Sequence, residues 1–130
     1  EMLRSLVGSE MCIRDSIYIG SHTMIGPNVT VATAGHPIRA ELREKAYQFN
    51  MSVRIGENCW IGAGAVIMPG VTIGDNSVIG AGSVVTKDIP ANVVAYGNPC
   101  RVAREINEHD REFYYKDRRI PKEIFDEIKD

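Results

Sequence analysis

The sequence predicts an all-β fold in which short strands and turns wind into stacked coils. An aliphatic residue recurs every six positions in two runs, at Ile19, Ile25 and Val31 and then at Ile55, Ile61, Ile67, Ile73, Ile79 and Val85. Glycine follows six of these nine residues. A helix repeats every ~3.6 residues and a strand every ~2, so a period of six is compatible only with strands. An antiparallel sandwich is the alternative, but its typical strand spacing of ~8 to 12 residues is absent.

Each six-residue unit is expected to form one flat side of a coil. Its aliphatic residue points inward, and the small residue after it permits a tight turn of the backbone. Three such sides close a coil of about 18 residues. One coil buries little by itself, so neighbouring coils must stack to cover the aliphatic column. Each buried Ile or Val then contributes roughly 1.5 to 3 kcal/mol.

A loop over residues 33–52 interrupts the repeat. Val31 and Ile55 are 24 positions apart, which is one side plus 18 residues, so the coils are expected to keep their register across the insertion. Long loops on rigid scaffolds often carry function. The loop is therefore the first place to look for catalytic residues.

Composition indicates one soluble domain. The chain has 130 residues, of which 44% are hydrophobic and 25% charged, and a formal net charge of -2, which disfavours nucleic acid as a partner. No apolar run approaches the ~20 residues of a membrane span. Cys12, Cys59 and Cys100 form neither an even disulfide set nor a CxxC motif. This pattern favours a reducing compartment, and the cytoplasm is the expected location.

From Ile17 to about Ile120 the sequence resembles the galactoside O-acetyltransferases and related maltose acetyltransferases of the hexapeptide-repeat family. The resemblance is carried by GHPIRAELR, by IGENCWIGAGAVIMPGVTIGDNSVIGAGSVVTKDIPANVVAYGNPCRV and by the tail REINEHDREFYYKD. It implies a left-handed parallel β-helix of hexapeptide repeats with an inserted loop and a C-terminal helical tail. It also implies a homotrimer with active sites between subunits. Trimerisation is favoured independently by Val53, Val66 and Val78, which are expected to point outward and would otherwise face water.

The resemblance implies that His36 is the general base. Acetyl transfer from a thioester to a sugar hydroxyl needs a group that removes the hydroxyl proton, and histidine suits this task at neutral pH. The backbone amide of Ala63 is implied as the donor to the developing oxyanion. Trp60 is implied as an aromatic platform for the acceptor sugar or for pantetheine. The structural alternatives are a turn histidine, a small corner residue and a tryptophan buried between subunits.

Coenzyme A is the implied cofactor, with acetyl-CoA as co-substrate. Its phosphates require local cations. The family positions that meet the nucleotide end correspond here to Ala81, Thr86, Lys87, Arg101 and Arg104. Solvated surface cations are the alternative interpretation of the three basic residues.

Three segments are expected. Residues 1–16 depart from the family pattern and are interpreted as foreign sequence. In gapless register, the family's acceptor-binding asparagine and carboxylate would fall on Leu6 and Arg14, and neither residue can replace them. Residues 17–103 form the β-helix domain with loop 33–52. Residues 104–130 form a helical tail, with a first helix that caps the coils and a second that begins at Pro121.

The sequence therefore predicts an acetyl-CoA-dependent sugar O-acetyltransferase that works by direct transfer without a covalent intermediate. A zinc site of three histidines is a rival, but His109 follows the coils and leaves only His22 and His36, so no metal is expected. Two alternatives stay open. One is a non-catalytic hexapeptide scaffold, and the other is an acetyltransferase for another small acceptor, such as an amino sugar, a serine or an antibiotic.

Overall fold

Three mainly parallel sheets form the sides of a left-handed β-helix in the computed structural model, which describes residues 2–4 and 16–128. Sheet A contains, in order, β1 (Met2–Arg4), β2 (Ser16–Ile19), β7 (Val53–Ile55) and β10 (Thr72–Ile73). Sheet B contains β14 (Cys100–Glu105), β13 (Val93–Gly97), β11 (Val78–Ile79), β8 (Trp60–Ile61) and β3 (Met24–Ile25). Sheet C contains β12 (Val84–Val85), β9 (Val66–Ile67) and β4 (Thr30–Val31).

The register confirms the coil length expected from the sequence. Val78 pairs with Trp60 and Val84 with Val66, so successive coils are offset by 18 residues. Across the inserted loop the offset is 36, because Ile25 pairs with Ile61. The insertion therefore adds the length of one coil and leaves the stack in register.

The aliphatic column lies in the core. Ile61 and Ile67 are fully buried, and the other members from Ile55 to Val85 are at most 2% exposed. A second inward column lies two positions before it, because alternate residues of a strand face the same side. It consists of Val53, Cys59, Ala65, Val71, Ser77 and Ser83. The prediction that Val53 points outward is therefore wrong, since Val53 and Ile55 lie on the same inner face with Arg54 between them.

The glycines after the aliphatic residues are required for close packing between coils. A Cβ on Gly62 would lie 2.5 Å from the backbone nitrogen of Ala81 in the next coil. The left-handed backbone of each turn occurs two residues later, as at Gly64 (φ 72°) and Asn76 (φ 65°). The predicted reason for these glycines, a permissive turn, is thus corrected: the space between coils excludes a side chain.

The inserted loop has a short hairpin at its base. Strands β5 (Ala34–Gly35) and β6 (Phe49–Asn50) pair antiparallel, and α1 (Ala40–Glu44) lies between them in the sequence. Met51 donates its amide to the carbonyl of Thr33 at 2.8 Å, which closes the loop where it leaves the coils.

The tail differs in part from the predicted helix. Residues Cys100–Glu105 form β14, which pairs antiparallel with β13 at the edge of sheet B. The unpaired backbone groups of that edge favour a strand over a helix. Beyond β14, α2 (His109–Glu112) is a single turn, and β15 (Phe113–Tyr115) pairs with β16 (Arg118–Arg119). The predicted second helix is confirmed as α3 (Lys122–Ile128).

The predicted foreign segment, residues 1–16, is described only at residues 2–4 and at Ser16; there β1 pairs antiparallel with β2, and Arg4 is the partner of Ser16. Leu6 and Arg14 lie outside the described residues. Among the helices that the structure describes, none is long and apolar enough to cross a membrane.

Candidate functional site

Ala63 and Ala81 lie one above the other at the corner between sheets B and C. Gly82 donates its amide to the carbonyl of Ala63 at 2.8 Å, which ties the two coils together there. Within the described part of the chain, the N–H groups of Ala63 and Ala81 have no hydrogen-bond acceptor. One coil earlier the equivalent residue is Pro27, which has no N–H. The corner therefore holds two backbone donors that are free to bind a ligand.

The opposite edge of sheet C carries Thr86, Lys87 and the base of the inserted loop. The amide of Ala32 donates to the carbonyl of Ile67, and the amide of Met68 donates to the carbonyl of Val85. The loop that follows Ala32 therefore leaves the stack at the same corner as Thr86, two coils away. With coils ~4.8 Å apart, the loop base and Thr86 are separated by about 10 Å along the axis. Lys87 is exposed and makes no hydrogen bond or ion pair with any other described residue. Its ammonium group is available for an anion.

His36 lies directly after β5 and is exposed. The residue before it, Gly35, is covered by the ring of Phe49, which fills the space that a Cβ at this position would need. The two residues after it are held by Arg43, whose Nη1 donates to the carbonyl of Pro37 at 3.0 Å and to that of Ile38 at 2.5 Å. The imidazole is thus presented to solvent from a backbone that is held on both sides.

Trp60 and Arg104 line one cavity on the outer face of sheet B. Strand register places Val78 and Val94 between them across the sheet. The cavity has a volume of about 500 Å³, and its outer wall comes from the tail, through Phe113, Tyr114 and neighbouring residues. The resemblance implied Trp60 as a platform for the acceptor sugar or pantetheine and Arg104 as a contact to the nucleotide end. The structure brings the two side chains to the same cavity, with Trp60 57% exposed.

Arg104 forms a bidentate ion pair with Asp110. Its Nη1 and Nη2 each donate to one carboxylate oxygen at 2.8 Å. Chiefly because of these hydrogen bonds, the pKa of Asp110 falls from its ordinary 3.8 to about 2. The amide of Asn107 also donates to this carboxylate at 2.9 Å. Sequence reasoning missed Asp110, because Arg104 belongs to β14 and Asp110 to α2, and only the turn between these two elements brings the side chains together.

Arg101 lies on β14 in register with Tyr96, an exposed residue at the end of sheet B. Its Nη1 donates to the adjacent carbonyl of Cys100 at 3.0 Å. Arg101 and Arg104 therefore share one edge of sheet B, whereas Lys87 lies beyond sheet C. The five residues expected around coenzyme A therefore lie at three different places on this chain and do not converge on one point.

The three histidines do not form a cluster. His22 is an exposed turn residue with φ 62°, and the ring of His109 stacks on Phe113 at 4.3 Å. No group of three or more metal-ligating side chains occurs among residues 2–4 and 16–128.

A second, larger groove of about 800 Å³ runs along sheet A. It is lined by residues such as Tyr18, Arg54 and Thr72, and the guanidinium of Arg54 lies 4.2 Å from the centre of the Tyr18 ring. None of the side chains predicted to act in catalysis or coenzyme binding lines this groove.

Comparison with known proteins agrees with this architecture. Residues 52–87 match the family described as bacterial transferase hexapeptide (six repeats). The chain is 54% identical over 109 residues to the galactoside O-acetyltransferase of Lactococcus lactis, a match that covers 84% of this chain and 53% of that protein.

Two solved structures are similar over most of the chain. A galactoside acetyltransferase in complex with coenzyme A is 56% identical with a TM-score of 0.79, covering 82% of this chain and 53% of that one. A maltose O-acetyltransferase from Clostridium difficile is 60% identical with a TM-score of 0.69, covering 71% of this chain and 49% of that one.

The chain is therefore a hexapeptide-repeat protein with the left-handed β-helix fold of the hexapeptide-repeat transferases. It spans about half the length of the curated relatives that it matches.

Proposed function

We propose that this chain is the coenzyme-binding and catalytic part of an acetyl-CoA-dependent O-acetyltransferase that acts on a sugar hydroxyl. The observation that carries the proposal is the arrangement around sheet C. Two free backbone donors, at Ala63 and Ala81, lie along one edge of that sheet. The His36 loop and Lys87 lie along the other. The thioester carbonyl of acetyl-CoA needs hydrogen-bond donors, the phosphates of the coenzyme need a cation, and the sugar hydroxyl needs a base.

Direct transfer accounts for the roles of these residues. Neutral His36 removes the proton from the sugar hydroxyl as its oxygen attacks the thioester carbonyl. The amide of Ala63 donates to the oxyanion that forms. When the intermediate collapses, the carbon–sulfur bond breaks and the imidazolium returns the proton to the coenzyme A thiolate. The products are the acetylated sugar and coenzyme A, and no group on the protein is acylated.

Lys87 is proposed to pair with a phosphate of coenzyme A, with Ala81 and Thr86 as backbone and polar contacts and with Arg101 and Arg104 at the same end. Trp60 is proposed as the aromatic surface for the sugar or the pantetheine arm. The sugar assignment is supported by similarity to enzymes named for galactosides and for maltose. A cytoplasmic homotrimer with sites between subunits completes the proposal.

Two measurements test the proposal. Titration calorimetry with coenzyme A should give saturable binding to this chain. In a chain whose residues 1–16 are replaced by the acceptor-binding segment of a galactoside acetyltransferase, acetyl transfer to galactosides, glucosides and maltose should fall by roughly 10²- to 10⁴-fold in His36→Ala, the usual contribution of a general base. His22→Ala is the matched control and should keep the parental rate, because His22 lies in an exposed turn on another corner.

The outcomes separate the alternatives. Without coenzyme A binding, the non-catalytic scaffold is the better interpretation. Binding without a catalytic loss in His36→Ala makes His36 a turn residue and overturns the mechanism. Binding with transfer to amino sugars, serine or antibiotics, but to none of the sugars above, replaces the proposed acceptor.

A further inference from the structure

We infer that Arg43 is a positioning residue for His36. The inference rests on the proposed function, in which His36 is the base, and extends it to the residue that sets the direction of the imidazole. A general base contributes only when its nitrogen meets the hydroxyl within hydrogen-bond reach. An exposed histidine on a loop needs a second element to hold it there.

Arg43 is the residue that holds the chain on the far side of His36. Its Nη1 donates to the carbonyl oxygens of Pro37 and Ile38, six and five residues back in the sequence, respectively. Hydrogen bonds from a charged donor to a carbonyl are stronger than neutral ones. Because the acceptors belong to the first two residues after His36, the guanidinium fixes the two peptide planes that follow the His36–Pro37 bond, and with them the course of the backbone that carries the imidazole.

The near side of His36 is already fixed by packing. The ring of Phe49 lies where Gly35 would carry a Cβ, and β5 pairs with β6 at this position. Proline at position 37 further restricts the backbone of His36 to extended conformations. Without Arg43, the chain would be held before the base and free after it.

The same loop contains a matched control. Arg39 is also exposed and is the N-cap of α1, the helix that contains Arg43, but its Nε donates to the carboxylate of Glu41 and not to the loop backbone. Arg39→Met and Arg43→Met therefore remove the same charge from the same loop. Only the second removes the hydrogen bonds to Pro37 and Ile38.

The first test measures order and does not depend on activity. In ¹⁵N relaxation, the amides of His36 and Ile38 should have order parameters near ~0.85 in the parent and in Arg39→Met, falling below ~0.6 in Arg43→Met. Arg43→Lys, which keeps a cationic donor, should restore the order. Equal order parameters in Arg43→Met and Arg39→Met would overturn the inference, whatever the activity of His36 proves to be.

The second test separates an effect on acetyl-CoA binding from an effect on the transfer step. Arg43→Met should lower kcat by roughly 10- to 100-fold, since a small displacement of a catalytic group has a large effect, while KM for acetyl-CoA stays within about twofold. Arg39→Met should keep both constants, and Arg43→Lys should recover most of kcat. A loss shared by both methionine variants would mean a general effect of charge and contradicts the inference. A large loss in His36→Ala with none in Arg43→Met leaves the proposed function intact and removes Arg43 from it.

Discussion

Ile25 and Ile61 are register partners in neighbouring coils, yet Ile61 is fully buried and Ile25 is 41% exposed. Both belong to the same inward column. Ile61 has a coil on each side of it, at Ile25 and at Ile79, whereas Ile25 has a described neighbour on one side only. Burial in this fold is therefore decided by stacking, and identical residues in identical units differ because of their place in the stack.

This difference predicts unequal effects of the same mutation. Ile61→Ala should reduce the free energy of unfolding by about 2 to 5 kcal/mol, the usual cost of a cavity in a core. Ile25→Ala should cost about half as much, because its side chain loses less buried contact. Urea unfolding of both variants measures the difference. Equal losses would mean that Ile25 is covered in solution to the same extent as Ile61.

Gly62 and Gly82 predict opposite responses to substitution. Gly62→Ala should destabilise the chain by more than ~2 kcal/mol, because the new Cβ would meet the backbone of Ala81 at 2.5 Å. Gly82→Asn should cost less than ~1 kcal/mol, because Gly82 has φ 72° with open space around it and asparagine tolerates this conformation. Thermal unfolding distinguishes the two, and a tolerated Gly62→Ala would show that the coils can separate locally.

The ion pair of Arg104 and Asp110 predicts a dependence of stability on pH. The folded pKa of Asp110 is about 2, below its ordinary 3.8, so its contribution is fully present above pH ~4 and is lost as the pH falls through about 2. Because the Arg104 side chain is 48% exposed, solvent screening limits the contribution to about 0.5 to 1 kcal/mol.

Urea unfolding of Asp110→Asn between pH 2 and 6 should show that loss at pH 6 and only a small part of it at pH 2. Asp117→Asn is the control, since Asp117 is exposed and has no partner among the described residues. An Asp110 carboxyl that titrates near 3.8 by NMR would contradict the ion pair.

The same ion pair predicts that Lys87 and Arg104 contribute unequally to the affinity for coenzyme A. Lys87→Ala should weaken binding by roughly 1 to 2 kcal/mol if its unpaired ammonium contacts a phosphate. Arg104→Ala should have a smaller effect, because Nη1 and Nη2 of Arg104 each already donate to Asp110, and Nη1 also donates to the carbonyl of Glu105. Titration calorimetry of both variants compares them. A larger loss in Arg104→Ala would mean that coenzyme A displaces Asp110 from the guanidinium.

Burial predicts that Cys59 and Cys100 react slowly. Desolvation raises the pKa of both thiols, and the thiol of Cys59 also donates to the carbonyl of Gly74 at 3.1 Å. Since the thiolate is the reactive form, alkylation by iodoacetamide at pH 8 should be at least about tenfold slower in the folded chain than in urea. Peptide mass spectrometry gives the rate at each cysteine. Rapid labelling of Cys59 in the folded chain would contradict a closed core.

Sequence alone was sufficient for the coil, its register and the interruption that carries His36. A hexapeptide repeat places the same residue type at the same point of each coil, so local spacing already encodes which side chains face inward. The pairing of Ile25 with Ile61 can be predicted by counting residues along the repeat and across the inserted loop. The second inward column was missed at Val53, although the strand period of two could have revealed it, because the repeat was counted from one aliphatic position only.

Only the tertiary structure decided which distant groups meet. Cys100–Glu105 form a strand because sheet B ends in an open edge, which is a property of the assembled sheet and not of the segment. Arg104 faces Asp110, and Trp60 shares a cavity with both, because the tail folds back over the outer face of sheet B. The hydrogen bonds from Arg43 to the carbonyls of Pro37 and Ile38 likewise depend on how the loop closes. These contacts involve segments outside the hexapeptide repeat, so their formation depends on the path of the folded chain.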